Sequence, residues 1–276
     1  MVLDAHVHFW NYDPNRDTWI TEEMRALKRQ LSPEDYKSTT ENLNISGCIA
    51  VQADESEEET QFLLDLAEKH DVIRAVLGWV DLSAEDVEVK LKKFSKNRLL
   101  KGIRCILQDK NDDFMLSKGF LNGISKLQQY KLTYDILVHH LQLEKAIKLV
   151  EKFPKQPFIL DHLGKPDIKN GNYRHWEQNI AELAQFENVH CKISGMVTEA
   201  DWNNWKKEDF EFCLDTVFSA FGINKVVFAS DWPVCNLAGN FSRVLDLVQT
   251  FTANFNKAEK EAFYYKNAQK FYKIDN

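Results

Sequence analysis

Two histidines, His6 and His8, stand two residues apart at the end of the first apolar run of the chain. Residues two apart on a strand point to the same side, so the two imidazoles are expected to face the same way. Neutral imidazoles presented in parallel suit a divalent transition metal such as zinc. The pair alone is weak evidence, because His-X-His often arises by chance. Two further groups at the ends of later runs, His162 and Asp231, strengthen it.

His162 closes the sixth apolar run. Its alternation with Leu160 and Phe158 predicts that the imidazole points toward the same site as the first two histidines. By the same alternation, Asp161 is expected to face outward, toward a helix or a loop. The alternative is a structural histidine bonded to a loop carbonyl.

Asp231 follows four mostly apolar residues of the eighth run. A carboxylate in such surroundings must be paired or have chemical work to do. Near a metal or a histidine it can take a proton from water and return it later, which is the role of a general base. A purely structural ion pair is the alternative.

Two cations, Lys192 and Arg104, are embedded in otherwise apolar runs. Buried lysine and arginine are rare unless they are paired. Either cation can stabilise a developing oxyanion or hold a substrate oxygen. The alternative is an ion pair with Asp135 inside the fold. His139 and His140 follow the fifth run, and one of them is a further candidate ligand.

Eight short apolar runs alternate along the chain with segments whose apolar residues recur at helical spacing. The runs are rich in Val, Ile, Leu and Phe, as strands buried on both faces are. Eight such units without a Pro/Gly/Ser-rich linker predict one domain over residues 1–276, an α/β fold of the (β/α)8 TIM-barrel type. The stretch Lys257–Tyr272 predicts an extra C-terminal amphipathic helix. The predicted strands are Val2–His6, Gly47–Ala53, Ile73–Trp79, Leu100–Leu107, Leu132–Val138, Pro157–His162, Val189–Ser194 and Lys225–Asp231.

The connection Phe9–Leu31 is longer than most loops between a strand and a helix. It is expected on the C-terminal face of the barrel, where such barrels place their active sites. This strand assignment puts all seven tryptophans at or beyond the C-terminal ends of strands. The set predicts an aromatic-walled pocket that stacks on a sugar or an aromatic ring, although some of these rings can merely close the barrel top. The predicted substrate-binding residues are Trp10, Trp19, Trp202 and Trp232.

Composition excludes several classes of protein. The formal charge of −7 argues against a nucleic-acid partner. No cationic and apolar leader opens the chain, and no apolar run approaches the length needed to span a bilayer, so neither a signal peptide nor a membrane partner is expected. The five cysteines are scattered and form no C-x-x-C pair. They predict buried thiols in a reduced, cytoplasmic protein.

Six short motifs spread over nearly the whole chain resemble the amidohydrolase superfamily. Within it, they are similar to the amidohydrolase-2 branch, which contains sugar lactonases such as L-fuconolactonase and L-rhamnonolactonase. The Asp-His-Leu-Gly-Lys-Pro and Ser-Asp-Trp-Pro pieces are specific to this branch. The motifs are Asp4-Ala5-His6-Val7-His8-Phe9-Trp10, Lys101-Gly102-Ile103-Arg104, Asp161-His162-Leu163-Gly164-Lys165-Pro166, Cys191-Lys192-Ile193-Ser194-Gly195, Ser230-Asp231-Trp232-Pro233-Val234-Cys235 and Asn267-Ala268.

The resemblance implies a ligand set. In the superfamily the first-strand histidines and the last-strand aspartate bind a metal, which maps to His6, His8 and Asp231, and the sixth-strand histidine maps to His162. Binuclear members carry a carboxylated lysine at the end of the fourth strand, where this chain has Arg104. A two-metal centre is therefore not expected. The implied cofactor is one divalent metal, zinc, or none, since some members of the branch hydrolyse lactones without a metal.

The resemblance also implies a reaction, the opening of an aldonolactone such as L-fucono- or L-rhamnonolactone to the sugar acid. Asp231 is then the general base, and His6 and His8 polarise the carbonyl or position water, with or without zinc. A metal-dependent decarboxylase of an aromatic acid on the same barrel is the first alternative. A catalytically silent barrel that binds a sugar acid is the second. The expected stabilisers of the tetrahedral oxyanion are Lys192, Arg104 and His162.

Overall fold

The computed structural model of the chain describes residues 1–275. Eight parallel strands follow one another around a barrel in the order β1 to β8, with helices between them, which confirms the predicted (β/α)8 TIM barrel. The strands are β1 Val2–Val7, β2 Ile45–Val51, β3 Ile73–Gly78, β4 Leu100–Ile106, β5 Thr133–Leu137, β6 Phe158–Leu160, β7 Val189–Ile193 and β8 Val226–Phe228. The helices are α1 Pro33–Thr40, α2 Glu57–Lys69, α3 Val87–Phe94, α4 Lys118–Leu127, α5 Leu143–Lys152, α6 Arg174–Leu183, α7 Glu211–Phe221 and α8 Phe241–Phe251.

The barrel closes between β1 and the residues just beyond β8. Val7 and Trp232 form a parallel bridge. On either side of it, the amide of His8 donates to the carbonyl of Trp232 at 2.8 Å, and the amide of Asp231 donates to the carbonyl of His6 at 3.0 Å. This backbone ladder brings the two ends of the barrel sheet together, and it joins the first and last predicted ligand motifs directly.

The helices bury apolar residues at the helical spacing that the sequence predicts. On α2, for example, Leu63, Leu64 and Ala67 are buried against the sheet. Ser83, with Asp86 three residues on, has the pattern of a helix N-cap followed by an acidic first turn and predicts a helix start at Ser83. That start is wrong, because α3 begins at Val87 with Asp86 at its N-cap. The amide of Ser83 instead donates to the Asp81 carboxylate at 2.9 Å, which places Ser83 in a turn. An aspartate whose carboxylate accepts from the amide two residues on forms an Asx turn, and here this turn takes the place of the predicted helix start.

The predicted C-terminal helix is present, and it closes the bottom of the barrel. It consists of α9 Lys257–Glu261, a π-helical turn Ala262–Lys266 and α10 Asn267–Phe271. The segment ends among the N-terminal ends of strands, where Phe271 packs against His190 with ring centroids 4.6 Å apart. Small residues on β1, on β3 and just after β8 leave room for it: Ala5, Ala75 and Ala229.

At the other end, the long connection after β1 lies over the barrel mouth, as predicted. It contains a short 3-10 helix, Glu22–Leu27, and it is pinned by a two-way backbone pairing of Trp10 with Leu31. A capping box on Ser32 then starts α1. Within residues 1–275, none of the helices combines the length and the apolar character needed to cross a membrane.

Candidate metal centre and active-site cavity

A bulge in β1 turns His6 into the barrel. Asp4 pairs with Cys48 and Val7 with Ala50, so β1 has one residue more than β2 over this stretch. The Asp4 carboxylate points outward and accepts a hydrogen bond from the Tyr36 hydroxyl of α1 at 3.1 Å. The extra residue shifts the alternation, so that His6 faces inward with no exposed surface.

Three donor atoms from the two ends of the sheet converge at the mouth. The Nε2 atoms of His6 and His8 are 3.1 Å apart, and Asp231 Oδ1 lies 3.8 Å and 3.5 Å from them. Tetrahedral zinc with bonds of about 2.0–2.1 Å needs ligand separations of about 3.3 Å. The separations of these three groups therefore fit one small divalent ion.

The protonation of the two histidines also suits a metal. His8 Nδ1 donates to the carbonyl of Val51 at 2.8 Å, which leaves a lone pair on Nε2. His6 Nδ1 lies 3.5 Å from Asp161 Oδ1 and 3.2 Å from Lys192 Nζ, and its Nε2 faces His8 and Asp231. Burial lowers the pKa of both imidazoles, so both are neutral at pH 7. Neutral imidazole is the form that binds metal.

Asp231 lies three residues beyond the end of β8, in the left-handed region with φ +59°. Asp4 supports this segment by accepting from the amide of Ser230 at 2.8 Å and from its hydroxyl at 2.6 Å. Burial by itself raises the pKa of Asp231, but the neighbouring His162, His8 and His6 outweigh it and hold that pKa well below its usual value. Asp231 is therefore ionised at neutral pH.

Asp161 points into the barrel, and the predicted outward orientation is wrong. β6 ends at Leu160, and His162 and Leu163 both adopt left-handed conformations, with φ +54° and +55°. Strand alternation no longer applies there, so Asp161 and His162 both face the interior. The His162 ring lies 4.5 Å from that of His6 and its Nδ1 contacts the Ser194 hydroxyl at 2.9 Å.

Beneath the donor atoms lies a network of buried charges. Lys192 Nζ lies 2.5 Å from Asp135 Oδ2 and 2.9 Å from Asp161 Oδ1. Arg104 Nη1 lies 3.3 Å from Asp161 Oδ2 and donates to His6 Nε2 at 3.2 Å. Lys192 has no exposed surface. Its predicted contact with an oxyanion is thus replaced by the alternative, an ion pair with Asp135, while Arg104 reaches the cavity above.

A cavity of about 170 Å³ opens at the mouth, over this network. Its floor carries four of the residues that the sequence predicts. Its wall adds polar groups that the sequence analysis did not assign to the site. One of them, Lys165, belongs to the motif Asp161-His162-Leu163-Gly164-Lys165-Pro166 and could have been found there. The floor residues are His8, Arg104, His162 and Asp231, and the polar wall residues are Gln108, Asp109, Lys165 and Thr198.

Of the four tryptophans predicted to bind substrate, Trp19 lines the cavity. Trp10 lies behind it, 2% exposed, with ring centroids 5.8 Å apart. Trp232 is 1% exposed and packs on Tyr36, and Trp202 is tied to the carbonyl of Thr198 at 2.9 Å. The prediction of direct substrate contact is wrong for the buried Trp10 and Trp232, because the position of a ring in a mouth loop does not fix the direction in which it points. For the half-buried Trp202 it stays a prediction.

His139 and His140 stand outside the donor groups formed by residues 1–275. His140 Nδ1 contacts the carbonyl of Lys165 at 2.9 Å, and so helps to hold the loop after β6. His139 caps the short helical turn that follows β5. Neither lines the cavity.

The chain matches the family model described as Amidohydrolase over residues 3–274. An L-fucono-1,5-lactonase of Burkholderia multivorans is 34% identical over 99% of this chain and 96% of its own length. One from Burkholderia ambifaria is 31% identical over 87% of this chain and 82% of its own. The crystal structure of an amidohydrolase from Burkholderia multivorans with bound zinc superposes with a TM-score of 0.96 at 33% identity, over the full length of both chains. The chain therefore belongs to the amidohydrolase family.

Proposed function

We propose that this protein is a sugar lactonase, which hydrolyses the ester bond of a small aldonolactone and releases the sugar acid. The observation that carries the proposal is the floor of the cavity, where an ionised carboxylate, Asp231, stands beside a neutral histidine and a cation. The names of the two Burkholderia relatives support L-fucono-1,5-lactone as the first substrate to test. Five buried, unpaired cysteines support a reducing compartment such as the cytoplasm.

In the proposed reaction, water adds to the lactone carbonyl. Asp231 takes the water proton because it is ionised, and it returns that proton to the ring oxygen as the ester bond breaks. The guanidinium of Arg104 stabilises the oxyanion of the tetrahedral intermediate. Burial lowers the pKa of His162 to about 4, so His162 is neutral at pH 7 and supports the oxyanion as a hydrogen-bond donor.

We also propose that His6, His8 and Asp231 hold one divalent metal, and the zinc in the Burkholderia multivorans structure supports zinc. When bound, such an ion supplies Lewis-acid polarisation of a carbonyl or of water. A second donor group, His6 with Asp161 and His162, is also close enough to hold an ion. However, Lys192 Nζ lies 2.9 Å from Asp161 Oδ1 and 3.2 Å from His6 Nδ1, so an ammonium already contacts two donors of this group. In the first group, the Arg104 guanidinium contacts one donor, His6 Nε2, at 3.2 Å.

The number of metal ions tests this assignment. Elemental analysis of the purified protein is expected to give about one equivalent of zinc or less, as a mononuclear site holds. The matched control is His140→Ala, which removes a mouth histidine outside the donor groups and should leave the metal content unchanged. Two tightly held equivalents would contradict the assignment.

The cavity wall favours a polyhydroxylated substrate over an aromatic acid. Its lining includes the ring of Trp19, which suits the C–H face of a sugar, and side chains that bond hydroxyls, such as Gln108 and Asp109. An aromatic di-acid instead calls for clustered arginines. Arg104 is the one arginine that lines the cavity in the described part of the chain. The volume of about 170 Å³ matches a single sugar ring and not an oligosaccharide.

Steady-state kinetics on a matched panel of substrates test the proposal. We expect kcat/KM to be highest for L-fucono-, L-rhamnono- or L-galactonolactone, measured by proton release with the Asp231→Asn protein as the background. An aromatic lactone and an aromatic acid complete the panel. Release of carbon dioxide from the acid, or hydrolysis of the aromatic lactone at least about tenfold better than any sugar lactone, would overturn the proposal, since tenfold is about 1.4 kcal/mol of transition-state preference.

A further inference from the structure

Tyr272 brings the C-terminal segment into contact with the charged network from below. It follows α10 at the bottom of the barrel and is 1% exposed. Its hydroxyl lies 2.9 Å from Asp135 Oδ2, inside the barrel. Burial raises the pKa of this hydroxyl well above its ordinary value, so it keeps its proton and donates to the carboxylate.

Asp135 connects Tyr272 to the charged residues above it. Its Oδ2 also lies 2.5 Å from Lys192 Nζ, and Lys192 lies 2.9 Å from Asp161, the carboxylate that faces His6. The ammonium of Lys192 also stands 5.7 Å from the centre of the Tyr272 ring, within the range of a cation–π contact. Tyr272 therefore holds Lys192 twice, by its hydroxyl through Asp135 and by its ring directly.

The Asp135 carboxylate depends on few partners. Its Oδ1 is buried and has no hydrogen-bond partner among residues 1–275. Within the described residues, Oδ2 is thus the only oxygen through which the carboxylate is held, and Tyr272 supplies one of its two contacts. Removing the hydroxyl leaves a fully buried carboxylate with Lys192 alone, so the carboxylate and the ammonium are free to shift together.

We propose that Tyr272 is a positioning residue for the active site, which acts through Asp135, Lys192 and Asp161 to fix the imidazole of His6. The proposal rests on the lactonase function above for its catalytic consequence. It makes the C-terminal segment a support of the reaction, although that segment lies at the opposite end of the barrel and does not line the cavity.

The test is Tyr272→Phe, with Tyr264→Phe as the matched control. Tyr264 is also buried in the C-terminal segment and its hydroxyl bonds to that of Thr252 at 2.8 Å, outside the barrel interior. We expect Tyr272→Phe to lower kcat on the best sugar lactone by about tenfold, the low end of the cost for outer partners of ligating histidines, with KM unchanged. Zinc affinity of the metal-stripped protein, measured by calorimetry, should fall in parallel. Tyr264→Phe should change neither.

A double-mutant cycle tests whether Tyr272 acts through Asp135. Asp135→Asn alone should lower kcat and zinc affinity, and adding Tyr272→Phe to it should cost little more, since both changes break one chain of contacts. Additive effects, or a Tyr272→Phe protein with the kcat and zinc affinity of wild type, would overturn the proposal. If wild type hydrolyses no lactone, the proposed function fails by itself, and the zinc affinities still decide the role of Tyr272. Asp135→Asn provides the same readouts should Tyr272→Phe not fold.

Discussion

The lower and upper halves of the barrel interior are built on opposite principles. The lower half is apolar, with side chains from several strands packed against the C-terminal segment. The upper half is a network of buried polar and charged side chains. Its members are His6, Arg104, Asp135, Asp161 and Lys192, each 3% exposed or less. One chain thus folds around an ordinary core and a costly polar layer in the same barrel.

The difference teaches where stability and function are located. Burying a large apolar side chain stabilises the fold by about 1.5–3 kcal/mol, so the lower half contributes directly to folding. Each buried ion loses several kcal/mol of hydration, and its ion pairs at best offset that cost. The upper half is therefore a weak source of stability. Its value lies in holding the donor atoms of the mouth in one arrangement.

The largest effect that separates the halves is expected for Asp231→Asn. The amide is nearly isosteric but cannot take a proton, so kcat should fall by about 10²–10⁴-fold while the melting temperature stays close to that of wild type. Lactone turnover and thermal unfolding measure the two quantities. Asp246→Asn, which removes a carboxylate from an exposed ion pair with Lys207 on the surface, is the matched control and should keep full activity. Retained turnover in Asp231→Asn would place the general base elsewhere.

Sequence periodicity predicted the frame of the upper half better than its contents. Apolar runs and helical spacing predicted eight strands, their helices and the C-terminal helix. The set of His6, His8 and Asp231 followed from the resemblance to the amidohydrolase superfamily, and the structure brings their donor atoms together. The orientation of Asp161 could not be predicted from the sequence, because it depends on the left-handed turn after β6. Strand periodicity carries no information past the last residue of a strand.

Contacts between distant parts of the chain could not be predicted from the sequence either. No local pattern indicates that Tyr272, more than forty residues beyond β8, returns to the barrel interior and bonds Asp135. The same holds for the tryptophans, whose side of the barrel was predictable but whose ring direction follows from neighbours such as Tyr36. Such contacts are set by tertiary packing, which composition and spacing do not encode.

The smallest effect belongs to the lower half and should appear in stability, not in activity. His190 stands near the start of β7 against Phe271, with Nδ1 buried and without a hydrogen-bond partner in residues 1–275. Burial lowers the pKa of its imidazole to about 4, against an ordinary value of 6.5. Between these values the unfolded chain binds the extra proton and the folded chain does not, so this group removes stability as the pH falls from 6.5 toward 4.

His190→Gln, which stays neutral at every pH, should remove that loss. From pH 7 to pH 5, wild type is expected to lose up to about 2 kcal/mol more of its unfolding free energy than the variant loses. Urea unfolding at the two pH values measures the difference, and kcat at pH 7 should be the same for both proteins because His190 does not line the cavity. If both proteins lose stability in parallel, His190 is not the acid-sensitive group of the lower half. If His190→Gln lowers kcat at pH 7, the division between a stabilising bottom and a functional mouth does not hold at this residue.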